Sequence, residues 1–277
     1  MDATNDAAIA ADDQSRRETG TAVVDTDATT RELAALYEGD AGAGFDETTA
    51  DDFTLPFLSI IQKGSPQADP DQGEYIEGAR PGMFYDTAAG DISDSVDFVV
   101  CHYHRSMVEW RDRKSGGGYV AQHDVGYEDG FEQEIDSETG RWTGRWRTGP
   151  DTCLVDTRYF FGLRLLDDGS TALAVVSMAS TQTKKAKAWM SRMDRLKGVS
   201  SDGRKFRLPM YASVWHLTTV PEENVKGAWR GFKIDYLGPV TDQSLAAAAR
   251  KAREMFVGAA GSVRPPADTD SGADVPF

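Results

Sequence analysis

A mainly β, α+β fold is what this sequence predicts: an OB-like Greek-key barrel with inserted helices and disordered acidic termini. Three observations point to it. At least six strand-like runs are spaced irregularly along the chain, and only two segments with helical periodicity interrupt them. Strict βαβ alternation and glycine-rich phosphate loops are both absent, which argues against a nucleotide-binding α/β fold. At 277 residues, with 40% hydrophobic and 27% charged positions, the chain is long enough for one large domain with a sizeable core.

Residues 1–28 are rich in Ala, Asp and Thr and hold almost no large apolar side chains, so they read as disordered. Residues 30–37 suit a short helix. The folded part is expected to begin at Phe53, so the expected division is an acidic arm over 1–52, a domain over 53–260 and a tail over 261–277. Pro70, Gly73, Gly78, Pro81 and Gly82 then punctuate short extended pieces.

Strand signals follow at 95–103 and 106–110, then Tyr119-Val120-Ala121 after the flexible Ser115–Gly118 turn. The acidic stretch 124–140 reads as an exposed excursion. Residues 156–166 and 171–178 flank Asp167-Asp168-Gly169-Ser170, a strong hairpin signal. Two further strands span 209–220 and 227–237, with a loop expected around 221–224. Ser180 or Thr181 is the expected cap of a helix from Gln182 to about Lys197, ended by Gly198, with Trp189, Met193 and Leu196 inward. Asp242 is the expected N-cap of a second helix running to Gly258.

Composition excludes several classes. Lys and Arg number 30 against 45 Asp and Glu, a net −15, so a uniformly basic nucleic-acid coat is ruled out. No apolar run approaches the roughly 18 residues of a membrane helix, and the start lacks the marks of a signal peptide. A soluble, intracellular (cytoplasmic) protein without membrane contact is expected. Cys101 and Cys153 read as buried reduced thiols. His102 and His104 share a strand face without an obvious third ligand, so no metal and no cofactor is expected. No hydrolase, metalloprotease, Walker or kinase motif is present, and the pairs Asp12-Asp13, Asp51-Asp52 and Asp167-Asp168 fit solvation or turns. The protein is not expected to be an enzyme.

The net charge hides an asymmetry. Residues 184–233 hold twelve basic and four acidic groups, a net +8 inside an acidic chain. Sign asymmetry of this kind suggests a polyanion site. Basic residues are also interleaved with aromatics. Trp110, Arg111, Arg113 and Lys114 precede the triple glycine; Trp142, Arg145, Trp146 and Arg147 follow the acidic excursion. The first helix supplies Lys184, Lys185, Lys187, Arg192 and Arg195, the next loop Arg204, Lys205 and Arg207, and a strand Trp229, Arg230 and Lys233. Single-stranded nucleic acid calls for this mixture, because cations track phosphates while aromatic faces stack on any base. The plain alternative is that tryptophans fill cores and a basic helix face is only solvated; Trp189 and Trp215 are read that way.

The C-terminus ends in an Asp-rich linker, Asp268, Asp270 and Asp274, followed by Val275-Pro276-Phe277. An apolar anchor beside a terminal carboxylate is a good short recognition element for a basic-rimmed partner. It resembles the tip of bacterial single-stranded DNA-binding proteins, and the acidic tails with a terminal Phe of tailed-phage ones. A second resemblance spans about 53–242. Leu55–Leu58, Ser65-Pro66-Gln67, Arg80-Pro81-Gly82-Met83, Thr183-Lys184-Lys185 through Trp189, Pro209-Met210-Tyr211 and Gly238-Pro239-Val240 are similar to motifs of a phage family found in replication and recombination gene clusters. The resemblance implies sequence-independent single-stranded DNA binding and protection in viral replication or recombination. Partner proteins of those processes would dock on Asp268, Asp270, Asp274, Val275, Pro276 and Phe277. Alternatives are a single-strand annealing recombinase or mediator, a metal-dependent nuclease, and a protein-interaction module. A homo-oligomer stays open.

Overall fold

The computed structural model describes residues 55–263 except 138, 139, 141, 225 and 226, together with 35, 36, 38–40, 43, 44, 46 and 47. The expected disorder at 1–28 and in the tail lies outside the described residues, as does most of the expected 30–37 helix. The chain forms two compact units, Met1–Asp52 and Phe53–Phe277. The first contributes a 3-10 turn at Glu38–Asp40.

The second unit is mainly antiparallel β. Strands β1 (Leu58–Ile60), β2 (Phe84–Asp86) and β3 (Ile92–Ser93) make a small sheet. The large sheet is built on a spine of two long strands, β4 (Val96–Arg111) and β8 (Thr152–Leu165), paired from Asp97↔Leu165 to Arg111↔Thr152 with a bulge between Val100 and His102. Different strands flank the two halves of this spine. β5 (Tyr119–His123), β6 (Glu132–Ile135) and β7 (Trp142–Arg147) flank one half. The other half carries β9 (Thr171–Ala179) on one side, with β12 (Ser213–Asn224) and β13 (Gly227–Pro239) on the opposite side. Between β9 and β12 the chain makes helix α1 (Thr183–Arg195) and a separate two-stranded ribbon, β10 (Lys197–Val199) with β11 (Lys205–Arg207). Helix α2 (Gln243–Ala259) follows β13.

The segment before β1 and the residues just after it close the second half into a barrel-like wall. Phe57 bridges Val175 of β9 in parallel, and the Val175 N–H donates to the Pro56 carbonyl at 2.8 Å. Five residues after Phe57, the Gln62 amide donates to the Arg230 carbonyl (2.9 Å) and accepts from the Arg230 N–H (2.8 Å), replacing a strand at the β13 edge. Two more side chains continue the cover along that edge. The Phe232 N–H donates to the Gln182 Oε1 at 3.1 Å, and Arg192 donates to the Ile234 carbonyl at 2.7 Å. An open strand edge invites pairing with other chains; here residues 230, 232 and 234 are occupied by side chains.

The spine has an apolar core on each face, as alternation along a strand requires. One face gathers Val96, Phe98, Val100, Phe160, Val176, Trp215, Leu217 and Phe232 beneath α1, which inserts Ala186, Trp189 and Met193. The other gathers Val99, Cys101, Val108, Tyr159 and Phe161 beneath α2, which inserts Ala249, Ala252 and Phe256. Gly162 pairs with Val100 of β4 where there is no room for a side chain: a Cβ there would sit 2.1 Å from the Val99 carbonyl oxygen. Gly82, at φ +99°, turns its carbonyl to accept from the Thr219 hydroxyl at 2.6 Å.

The mainly β, barrel-like expectation with two inserted helices stands, and Trp189 and Trp215 are core. Several local readings change: the strand expected from 209 begins only at Ser213, after a 3-10 turn at Met210–Ala212, and the runs at 95–103 and 106–110 form one strand. The first helix is capped at Gln182 with no side-chain cap bond and ends at Arg195, because Leu196 turns extended and Gly198 belongs to β10. Residues 221–224 continue β12 instead of forming a loop, since Pro221 through Asn224 pair with Arg230 through Gly227. The acidic excursion contains the strand β6, paired with β7. Asp242 caps α2 as expected, accepting from the Leu245 N–H at 2.7 Å.

Candidate nucleic-acid interface

Helix α1 separates its residues by chemistry. With its small and aromatic side chains turned into the core, Lys184, Lys187, Ser191 and Arg195 fall on the opposite, exposed face. Their spacing of 3, 4 and 4 residues makes a single row. At 1.5 Å per residue the row runs about 16 Å. Among the described residues no carboxylate pairs with Lys184, Lys187 or Arg195; the nearby acids bind other cations, Glu222 holding Lys185 at 2.6 Å and Asp194 holding Arg207 at 2.9 Å.

The β10–β11 ribbon extends this surface. Lys197 and Arg207 stand directly opposite each other, an unfavourable like-charge pair. Asp194 partly relieves it, its carboxylate accepting from Arg207 and its carbonyl from Lys197 at 2.7 Å. Lys205 is exposed and Arg204 pairs with Asp202 at 2.6 Å beside the turn. The Phe206 ring lies over Gly198, where a Cβ would come within 2.5 Å of it, and remains half exposed.

The β13 candidates join α1 through one carboxylate. Glu222 accepts from the Trp229 indole N–H at 2.8 Å and from Gln182 at 3.3 Å while pairing with Lys185. Burial pushes its carboxyl up, but the bonds from Lys185, Gln182 and Trp229 outweigh that and hold it below the ordinary 4.5. Glu222 and Lys185 fit there because Gly231 leaves their place empty, its would-be Cβ lying 2.2 Å from Glu222 and 2.7 Å from Lys185. Lys233 pairs with Asp235 at 2.8 Å, and Arg230 packs beside Gly82. Arg192 lies 5.8 Å over the Trp215 ring.

The remaining candidates gather on the other half of the spine. Trp110 is 5% exposed and packs edge-on against Tyr119; Trp146 is 9% exposed among Met107 and Leu154. Both serve the core. Trp142 is different: it is 46% exposed, meets Trp146 edge to face at 5.0 Å, and is steadied by its indole N–H on the Arg145 carbonyl at 3.1 Å. Arg147 is held between Asp112, at 2.5 Å, and Glu134. Burial would lower its pKa, yet these two carboxylates raise it, so the guanidinium is charged and occupied. Arg111, Arg113 and Lys114 are exposed at the end of β4 and the turn after it. The tail residues Asp268, Asp270, Asp274, Val275, Pro276 and Phe277 lie outside the described residues.

A family model described as "Pam3 phage gp34-like protein" matches residues 25–261. The chain belongs to that phage family. No curated protein and no solved structure matches it.

In this Pam3 phage gp34-like protein, sequence reading missed basic residues inside strands. Arg105 and Arg158 sit opposite each other on β4 and β8 and share Asp156, at 2.8 Å and 2.9 Å. The signal that finds them is alternation: Tyr103, Arg105 and Met107 must share a face. Cys101 and Cys153 are buried and free, their thiols pushed by burial up to about 12 and about 11. Neither is a nucleophile at neutral pH. No helix among the described residues is long and apolar enough to cross a membrane.

Proposed function

We propose that this phage protein binds single-stranded DNA without sequence preference, protecting it during viral replication or recombination, and recruits partner proteins through its acidic C-terminal residues. The observation that carries the reading is the row Lys184, Lys187 and Arg195, exposed on α1 with no carboxylate partner among the described residues, whereas Arg147, Lys185, Arg204, Arg207 and Lys233 are already ion-paired. A row of uncompensated cations on an acidic protein favours a polyanion, and half-exposed aromatics at Phe206 and Trp142 offer faces to unpaired bases. Positioned charge with stacking faces suits a flexible single strand better than a duplex, whose base faces are hidden.

Titration of labelled dT oligomer into the full chain, followed by fluorescence anisotropy, tests this. Expected are binding to the single strand, weakening as salt rises through counterion release, and much weaker binding to duplex of matched length. Equal affinity for duplex, or no binding at low salt, overturns it.

A further inference from the structure

The α1 row and Trp142 lie on the same face of the spine, and a polar strip joins them. Along β8, Leu154, Asp156, Arg158 and Phe160 project to one side. Phe160 stacks on Trp189 of α1 at 4.4 Å, whereas Leu154 pairs in register with Trp146, the ring that supports Trp142. Between these two ends sits a cluster of three charged groups. Arg105 binds Asp156 through two bonds of 2.8 Å and 3.0 Å, and Arg158 binds the same carboxylate at 2.9 Å. Arg158 also reaches the hydroxyl of Thr183, the first residue of α1, at 3.3 Å.

Two guanidiniums on one carboxylate leave this trio with one net positive charge, while Glu128 also acts on Arg105 and Glu109 stands opposite Leu154 further along. Arg158 is 4% exposed and anchored from both sides, so it fixes Asp156, and Asp156 in turn orients the forked Arg105, which is 35% exposed. An oriented guanidinium with donors left over suits a phosphate oxygen. At about 3.3 Å per residue, Arg158 to Leu154 spans about 13 Å, which carries the surface from the end of the α1 row to the tryptophan pair.

We infer that α1 and Trp142 are two ends of one track, with a single strand leaving Lys184, crossing Arg105 through a phosphate and stacking a base on Trp142. The inference rests on the single-stranded DNA reading and adds the path and its two far contacts. Trp142 faces Ile135 across the β6–β7 pair, and both are exposed, so a protein surface seated there is the competing outcome.

The test uses the full chain with dT oligomers of about 6 and about 20 nucleotides, bracketing the roughly 4–16 nucleotides that a single barrel of this kind covers. Trp142→Ala is expected to weaken the longer oligomer roughly five- to hundredfold, the range for losing one stacked base, and Arg105→Gln to weaken it at low salt and lower its salt slope by about 0.7, the loss of one phosphate contact. The shorter oligomer, held by α1, should change less than about twofold in both, since its phosphates meet only the helix row. Trp142→Phe should restore most of the loss, and a photo-cross-linked long oligomer should label the peptide holding Trp142. A wild-type protein that binds both oligomers, with neither variant altering the longer one, overturns the track and leaves the α1 site standing. If wild type binds neither, the single-strand reading falls and the track with it. Should Arg105→Gln fail to fold, Trp142→Ala and the cross-link decide alone.

Discussion

Glu222 is one carboxylate with three donors: the Lys185 ammonium, the Trp229 indole N–H and the Gln182 amide. Because the group is only partly buried, its value lies in leaving those donors satisfied more than in Coulomb attraction. Glu222→Ala is therefore expected to lower stability by about 1–3 kcal/mol in urea unfolding. It also frees Lys185, so single-strand affinity at low salt should stay level or rise; a fall with the fold intact would place Glu222 in the interface itself. A different kind of constraint acts at Gly162. Its would-be Cβ meets a carbonyl oxygen of the paired strand at 2.1 Å and the Phe98 ring at 2.6 Å, and backbone cannot step aside as a side-chain tip can. Gly162→Ala should cost upwards of about 2 kcal/mol, the range of a forced misfit in a packed core. A thermal melt that is unchanged would mean that β4 and β8 separate more easily than their pairing implies.

Helix α1 carries opposite demands on its two sides, and each can be changed alone. Trp189→Ala removes the ring that packs on Phe160 and Trp215, and should cost about 3–5 kcal/mol. Reversing the outer row, Lys184→Glu with Lys187→Glu and Arg195→Glu, touches nothing in the core. It should leave the melt nearly unchanged, weaken dT binding strongly at low salt and lower the salt slope of the binding that remains by about 2, at roughly 0.7 per phosphate contact on a single strand. A retained slope would move the interface off α1. The existence of this helix was legible in the sequence, as were the 156–178 hairpin, the cap at Asp242 and the core places of Trp189 and Trp215. What was not legible depended on contacts distant in sequence. Gly198 looked like a helix stop because glycine serves both there and beneath a cross-strand ring such as Phe206. Trp110 and Trp146 looked like ligand faces because flanking charges mark the neighbouring strand face, not their own. Which cations were spoken for was invisible altogether: Arg147 is paired with Asp112, 35 positions away, and Lys185 with Glu222.

At the scale of the whole molecule, charge of both signs has to coexist. A chain at −15 approaches a polyanion only through a focused positive surface, and we propose that its Asp-rich C-terminal stretch competes with DNA for that surface. Removing 264–277 should then tighten dT binding at low salt and matter little at high salt; weaker binding would count against competition. Proton uptake offers a separate handle on the assembled fold. His102 and His104 project from β4 on the side that α2 covers, with Arg253 of α2 and Asp124 as their charged neighbours. Burial holds both below the ordinary 6.5, helped at His102 by repulsion from His104 and Arg253 and opposed at His104 by Asp124. Above 6.5 both histidines are neutral folded or unfolded, and stability does not depend on them. As pH falls below 6.5 the unfolded chain takes up protons first, so stability declines through the folded values. A second decline begins below 4.5, where Glu109 and Glu222, both depressed in the fold, lose their partners by protonation. Urea midpoints at about pH 7.5, 5.5 and 4 should thus fall in two stages. His102→Phe with His104→Gln should flatten the first stage and leave the second; an unchanged first stage would show that these two rings titrate as they do in the unfolded chain.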